Sequence, residues 1–152
     1  MKKLSILILA GIFMIGAAMT FADEQRGTAA QAKLMVEKAV EYVQANGKDK
    51  AVAEFNNPQG QFVKGDLYIY AWDLKGIVLA HPTNPGTVGK NNMNVPDEDG
   101  KFFRKEAIEM AKTKGAGWVD YKYMNPRTHK VEQKTTYVKK VGEIIVACGA
   151  YK

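Results

Sequence analysis

The stretch that decides the fold is YIYAWDLKGIVLAHP, Tyr68 to Pro82. An apolar and aromatic run leads into the turn residues Asp73-Leu74-Lys75-Gly76, and a second apolar run follows them. Two apolar runs around a short Asp- and Gly-containing turn predict an antiparallel hairpin, with strands Leu67–Asp73 and Ile77–Ala80. The second strand ends at His81-Pro82, where a long loop begins and runs to about Pro96.

The rest of the chain supplies helices before and after this hairpin. An apolar stripe at spacings of three and four runs through the first helix, and its members are Ala32, Met35, Val36, Ala39, Tyr42 and Val43. The predicted helices are Asp23–Asn46, Lys48–Phe55 and Lys101–Lys114, the last capped by Asp97 or Asp99, and the later strands are Trp118–Met124, Val131–Val141 and Glu143–Tyr151. Short turns between sequential strands require mostly antiparallel pairing. We therefore expect an α+β domain in which a long N-terminal helix packs on an antiparallel sheet of about five strands.

The N-terminus predicts export. Two lysines precede a run of apolar and small residues from Leu4 to Ala18, and Thr20-Phe21-Ala22 places small residues where a signal peptidase reads them. This pattern is typical of a secretory signal peptide over residues 1–22, followed by a single domain over residues 23–152. The alternative is an uncleaved membrane anchor, for which the run is rather short. The sequence thus predicts a periplasmic or secreted protein.

Length and charge narrow the class further. The domain after the leader has about 130 residues, enough for one hydrophobic core. The formal charge of the whole chain is +6, of which Lys2 and Lys3 supply two, and the remaining lysines are spread rather than clustered. We therefore expect no nucleic-acid partner, although a mildly basic domain attracts small anions weakly.

The side chains needed for catalysis or metal binding are scarce. The two histidines, His81 and His129, lie far apart, and the only serine falls in the leader. Cys148 lies inside an apolar run, where a buried core thiol is favoured over a reactive or dimer-forming one. The adjacent acids Asp97 to Asp99 suit helix capping better than an ion site. No metal, cofactor or catalytic residue is predicted.

Aromatic residues give the stronger signal. Tyr68, Tyr70 and Trp72 share one face of their strand by the two-residue period, and further aromatic residues, Trp118, Tyr121 and Tyr123, follow on a later strand. Each of them can simply fill the core. However, buried hydroxyl and indole groups need partners, and a small oxygen-bearing ligand in an apolar cup would provide them.

The sequence also resembles a known family. The segments YIYAWDLKGIVLAHPTNPGTVGKN, DEDGKFFRKEAIEMAKTKGAGWVDYKYMNPRTHKVEQKTTYVKKV and IIVACGAYK resemble the single Cache domain of the Cache_2 type. Bacteria use such domains as extracytoplasmic sensors on chemoreceptors and histidine kinases. The more specific motifs are His81-Pro82, Gly89-Lys90, Gly117 to Tyr121, and Lys134 with Tyr137 to Lys139.

The resemblance implies a PAS-like fold with a ligand cleft between the sheet and the loop and helix that cross it. Similar domains bind small carboxylates such as acetate, propionate, pyruvate and lactate. His81 would then stand at the rim of the cup and donate to a carboxylate, or instead tie down the loop. Lys134 would supply a charge-assisted hydrogen bond from inside the cup, or instead face solvent. The predicted ligand-binding residues are Tyr68, Tyr70, Trp72, His81, Trp118, Tyr121, Tyr123 and Lys134.

Three functions are compatible with these features. The first is a non-catalytic binding protein for a small organic acid, which would report its state to a membrane sensor or transporter protein. The second is a ligand-free interaction module that forms a homodimer or pairs through its N-terminal helix. The third, an enzyme, is disfavoured because no catalytic set is present.

Overall fold

The computed structural model describes residues 26–152. The predicted signal peptide and the first three residues of the predicted N-terminal helix lie outside them. None of the helices within the described part has the length and hydrophobicity of a membrane-spanning segment.

The first helix begins later than the sequence pattern suggested. Helix α1 spans Ala29–Asn46, because Thr28 accepts from the backbone N–H of Gln31 while the Gln31 side chain accepts from the backbone N–H of Thr28. This capping box requires an extended conformation at Thr28, so the helix cannot extend back through Gly27. Helix α2, Lys48–Phe55, follows after Gly47 as predicted.

The predicted first strand is divided into two. Strand β2, Leu67–Tyr68, pairs with a two-residue strand that the sequence reasoning missed, β1, Val63–Lys64. Strand β3, Tyr70–Asp73, pairs instead with β4, Val78–Ala80. The division falls at Ile69, whose backbone N–H donates to the carbonyl of Phe62.

The main sheet confirms the predicted α+β fold. The later strands are β5, Ala116–Met124, β6, Val131–Val141, and β7, Ile144–Tyr151. All neighbouring strands are antiparallel, and the order β4-β3-β7-β6-β5 places the C-terminal strand at the centre of the sheet.

The two faces of the sheet have different roles. One face packs against α1 and α2 and is aliphatic, with Ile69, Ala71, Val146 and Cys148 among its members. The apolar stripe of α1 is buried there, including Ala32, Val36, Ala39 and Val43. Cys148 is fully buried, and burial raises the pKa of its thiol to about 12, which makes the thiol unreactive.

The other face carries Tyr68, Tyr70, Trp72 and Tyr121 and is covered by α3. This helix spans Phe103–Lys114, and Phe102 precedes it without any side-chain cap, so neither predicted capping residue has that role. Asp97 instead accepts from the backbone N–H groups of Asp99, Lys101 and Lys122. A tight turn that fastens the loop to β5 uses this carboxylate before the helix begins, which explains the failure of the capping prediction.

Candidate functional site: an aromatic cup around a buried lysine

Three aromatic side chains form one wall of a cup. Tyr68, Tyr70 and Trp72 lie on the α3 side of the sheet with exposed fractions of 1%, 4% and 3%, whereas Ile69 and Ala71 lie on the α1 side. The two-residue period of an extended chain separates the two sets, as predicted. The aromatic wall therefore faces the space between the sheet and α3.

Seven of the eight predicted site residues line a single cavity. They are Tyr68, Tyr70, Trp72, His81, Tyr121, Tyr123 and Lys134, and the same cavity is also lined by Val78, Thr87, Asn92, Phe103 and Arg104. Its volume is about 10 Å³, room for roughly one water molecule. The cup is thus closed in this conformation.

Trp118 does not join them. In β5, the residues Val119 and Tyr121 face α3, so Trp118 points to the other side of the sheet. There it lies 5.1 Å from the ring of Tyr137, with 39% of its surface exposed. Its odd spacing from Tyr121 already implied opposite faces, and the sequence prediction for Trp118 is corrected on that ground.

Lys134 is the central polar group of the cup. Only 1% of its surface is exposed, and its Nζ donates to the hydroxyls of Tyr68 at 2.9 Å and Tyr151 at 3.3 Å. Nζ also lies 4.3 to 5.5 Å from the ring centroids of four tyrosines, Tyr68, Tyr70, Tyr123 and Tyr151. Among the described residues no carboxylate pairs with it. The ammonium group has three N–H donors and uses two of them on protein acceptors, so one remains for a ligand.

A second polar network lies beside the lysine. Tyr70 and Tyr121 join their hydroxyls at 2.7 Å, and Thr136 donates to Tyr121 at 3.0 Å and accepts from Tyr70 at 3.1 Å. Burial raises the pKa of Tyr68 to about 12. It also raises the pKa of Tyr70 well above its usual value and raises the pKa of Tyr121. These phenols are therefore neutral, and Tyr70 and Tyr121 use their protons within this network.

His81 lies where the predicted rim should be. Its ring stacks on Tyr70 at 5.4 Å, and its two nitrogens lie 3.4 and 3.5 Å from the hydroxyls of Thr83 and Tyr123. Burial, followed by repulsion from Lys134 and Arg104, lowers the pKa of His81 to about 3. The imidazole is therefore neutral at physiological pH, with one nitrogen donating and the other accepting.

The position of His81 is set by a residue that the sequence reasoning overlooked. Asn56, just after α2, accepts from the backbone N–H of His81 and donates to the carbonyl of Leu79. The end of β4 is thus held from the α2 side. The amide of an asparagine after a helix gives no sequence signal for such a contact.

The loop after His81 covers the cup. Its residue Gly89 donates its backbone N–H to the carbonyl of Val78, so the loop folds back along the free edge of β4. Asn84 donates across the opening to the hydroxyl of Tyr123 at 3.4 Å. The contact is long, and the loop residues Asn84 and Thr83 are exposed. The segment lies over the cup, and its role as a lid stays a prediction.

Three further polar residues at the cup were not predicted. Tyr151 and Thr136 face the same side as Lys134, which the two-residue period along β6 and β7 could have indicated. The Arg104 guanidinium lies 4.2 Å over the ring of Phe103 and donates to the carbonyl of Val95. Its place at the start of α3 is set by the tertiary fold.

A larger space elsewhere suits a small ligand less well. A groove of about 1100 Å³ runs between α1 and the β1–β2 hairpin. It is open to solvent, and its charged lining residues Lys38, Glu41 and Lys64 are exposed. The groove would leave most of a small molecule in water, whereas ligand sites usually bury most of it.

The fold and the aromatic cup together define a class: PAS-like α+β sensor domains with a ligand cleft on one face of the sheet. The chain belongs to the Single Cache domain 2 family, whose profile matches residues 59–152, more than half of its length. Cache domains are sensory rather than catalytic modules.

Solved structures share this fold. The periplasmic sensor domain of a chemotaxis protein has 24% identity and a TM-score of 0.70, over 88% of this chain and 99% of that one. A methyl-accepting chemotaxis protein of Vibrio parahaemolyticus has 21% identity and a TM-score of 0.68, over 80% of this chain and 86% of that one. A Cache chemosensory domain whose structure gives the basis for its carboxylic acid recognition has 25% identity and a TM-score of 0.62, over 80% of this chain and 86% of that one.

Proposed function

We propose that this chain is a non-catalytic sensor domain that binds a small carboxylate, such as acetate, propionate, pyruvate or lactate. The observation that carries the proposal is Lys134, an ammonium group buried without a carboxylate partner among the described residues and with one donor unused. A buried cation of this kind is expensive unless an anion completes it. A ligand carboxylate is such an anion.

The surroundings of Lys134 favour a carboxylate over a neutral ligand. The neighbouring phenol of Tyr68 is neutral and accepts from Lys134, so its own proton is available for donation, and His81 is neutral as well. Hydrogen bonds from such donors to an ionised oxygen are stronger than bonds between neutral groups. The similar Cache chemosensory domain that recognises carboxylic acids supports the same ligand class.

The closed cup limits the size of the ligand and implies movement. A cavity of about 10 Å³ cannot hold even the four heavy atoms of acetate without displacement of a side chain or of the loop. The side chains of the loop from Thr83 to Asn92 are exposed or only partly buried, and this is the segment that we expect to open. Binding that favours one loop position would shift the population of a form that a partner reads.

The proposed cellular setting follows from the predicted leader. Export would place the domain in the periplasm or outside the cell, where small organic acids are met first. Its state would then be read by a membrane sensor or transporter protein.

A thermal-shift experiment tests the proposal. Residues 23–152 are heated with acetate, propionate, pyruvate, lactate and amino acids, each at millimolar concentration. A ligand that binds the folded state must raise the unfolding midpoint. At a hundred times its Kd, it adds about 2.7 kcal/mol to the free energy of unfolding. The expected result is a shift with at least one acid and none with its amide. If no acid shifts the midpoint, the cup is a packed core and the interaction-module hypothesis takes precedence.

Replacement of Trp118 should leave binding unchanged. Trp118 lies on the opposite face of β5, separated from Lys134 by the sheet itself. In Trp118→Leu we expect the Kd for the best acid to stay within about twofold of the wild type, since distant sites act independently. Isothermal titration with Tyr123→Phe as the contrasting variant checks this, because Tyr123 contacts both His81 and the loop. A large loss of affinity in Trp118→Leu would return this residue to the site.

A further inference from the structure

The ammonium group of Lys134 reaches its partners by crossing a strand. Lys134 belongs to β6, and Tyr68, which accepts from it, belongs to β2 beyond the central strand β7. The register places Lys134 opposite Tyr151 and Thr136 opposite Gly149. The aliphatic part of Lys134 must therefore pass over β7 beside Gly149.

Gly149 has no room for a side chain. A Cβ built on it would lie 2.5 Å from Cε and 3.0 Å from Cγ of Lys134, and closer still to Oγ1 of Thr136. Distances below 3.0 Å do not occur for real Cβ atoms, so one of these side chains would have to move. Neither moves freely, since Lys134 is held by two tyrosine hydroxyls and Thr136 by the pair Tyr70 and Tyr121.

The backbone does not explain the glycine. Gly149 lies within β7 and is not among the glycines with positive φ, a conformation that would itself favour glycine over alanine. A glycine inside a central strand is otherwise unfavourable and marks a close approach. The approaching groups here are the Thr136 hydroxyl and the Lys134 side chain.

We propose that Gly149 is a positioning residue for the ligand site. Its missing side chain leaves the channel across β7 through which Lys134 reaches the cage, the set of four tyrosine rings around its ammonium group. This inference rests on the proposed carboxylate site but adds a residue that touches no ligand. Gly149→Ala should push the ammonium group out of the cage while leaving the backbone conformation of the strand permitted.

The first test follows Lys134 directly, without ligand. Its ε protons lie among four aromatic rings and should be shifted upfield in the NMR spectrum by ring currents. In Gly149→Ala we expect this signal to move to the ordinary lysine position. The matched control is Gly117→Ala, in β5, where a Cβ also meets a side chain at close range, but that side chain is the flexible Met110 away from Lys134. An unchanged signal in Gly149→Ala would overturn the proposal.

A stability cycle gives the second test, also without ligand. Gly149→Ala is introduced into the wild type and into the double variant Lys134→Ala/Thr136→Ala. Each background protein and its Gly149→Ala derivative form a pair, and the thermal unfolding midpoints are compared within each pair. We expect a drop of several degrees in the first pair and little change in the second, because contacting residues are not additive. Equal drops in both pairs would mean that Gly149 serves the strand alone, and they would refute the positioning role.

Affinity completes the assignment and separates it from the proposed function. If the wild type binds one of the acids, Gly149→Ala should weaken that binding about 10- to 100-fold, the effect of losing one charged hydrogen bond. Wild-type affinity in this variant overturns the proposal. If the wild type binds none of the acids, the carboxylate function fails, while the NMR test still decides whether Gly149 positions Lys134.

Discussion

Lys134→Met should abolish carboxylate binding while leaving the protein as stable as before, or more stable. Methionine keeps most of the length and apolar volume of lysine but removes the charge and the donors. Without the ammonium group, the ligand carboxylate would be buried against neutral phenols alone. Truncating one member of a buried, hydrogen-bonded charge pair costs about 2–5 kcal/mol, which corresponds to an affinity loss of roughly 30-fold or more.

The stability of this variant should change in the opposite direction. In the absence of ligand, Lys134 holds a charge at 1% exposure with no carboxylate beside it among the described residues. Replacing a buried charge with an apolar side chain of similar volume is often neutral or stabilising, by about 1–4 kcal/mol. The phenol of Tyr151 keeps its bond to the carbonyl of Met124, so it is not left without a partner.

Isothermal titration and urea unfolding of the same preparations would measure both effects. Lys140→Met is the matched control, since Lys140 is exposed near the end of the same strand. It should change neither affinity nor stability by more than a few tenths of a kcal/mol. Wild-type affinity in Lys134→Met would show that the anion binds elsewhere. A large loss of stability would show that the lysine serves the fold rather than the ligand.

The sequence predicted the sheet well, because its signals were local. The alternation of Tyr68, Ile69, Tyr70 and Ala71 separates two faces wherever the strand lies in the fold, and the structure has the same two faces. The bounds of β6 were predicted without error for the same reason. The start of α1 was predicted too early, because the apolar stripe does not show where a capping box interrupts the helix.

The site was harder to predict because it depends on contacts between distant segments. Which face of β6 carries Lys134 follows from the two-residue period, but its burial among tyrosines of β2, β3, β5 and β7 follows from the strand order. Arg104 and Asn56 reach the cup only through the tertiary arrangement of α3 and α2. Trp118 was misplaced for a simpler reason, since its parity relative to Tyr121 was available in the sequence.

Acid should destabilise the protein through His81, and replacing this histidine should remove that effect. The folded-state pKa is about 3, against an ordinary value of 6.5, because burial and then the charges of Lys134 and Arg104 oppose protonation. Between these two values the unfolded chain binds one proton that the folded chain refuses. The free energy of unfolding therefore rises with pH across this window. The contribution of His81 to stability is fully present above about pH 6.5 and is lost as the pH drops toward 3.

The size of the effect is large for one residue. At pH 4.5, two units below the unfolded pKa, His81 should destabilise the folded state by about 2 to 3 kcal/mol relative to pH 7. Urea unfolding at both pH values measures it in the wild type and in His81→Gln. The carboxylates titrate equally in both proteins, so the difference between the two pH dependences isolates the contribution of His81. His129→Gln, in an exposed turn, controls for the loss of a histidine side chain as such.

The same experiment connects the histidine to the buried lysine. Because Lys134 is the largest electrostatic cause of the low pKa of His81, Lys134→Met should raise that pKa and reduce the acid destabilisation, though burial would keep part of it. With the measurement extended to about pH 3, where the folded imidazole titrates, His81→Gln and Lys134→Met should therefore be less additive than at pH 7. If the two variants are additive at both values, the imidazole and the ammonium group do not share one electrostatic environment, and the cup does not act as a single anion site.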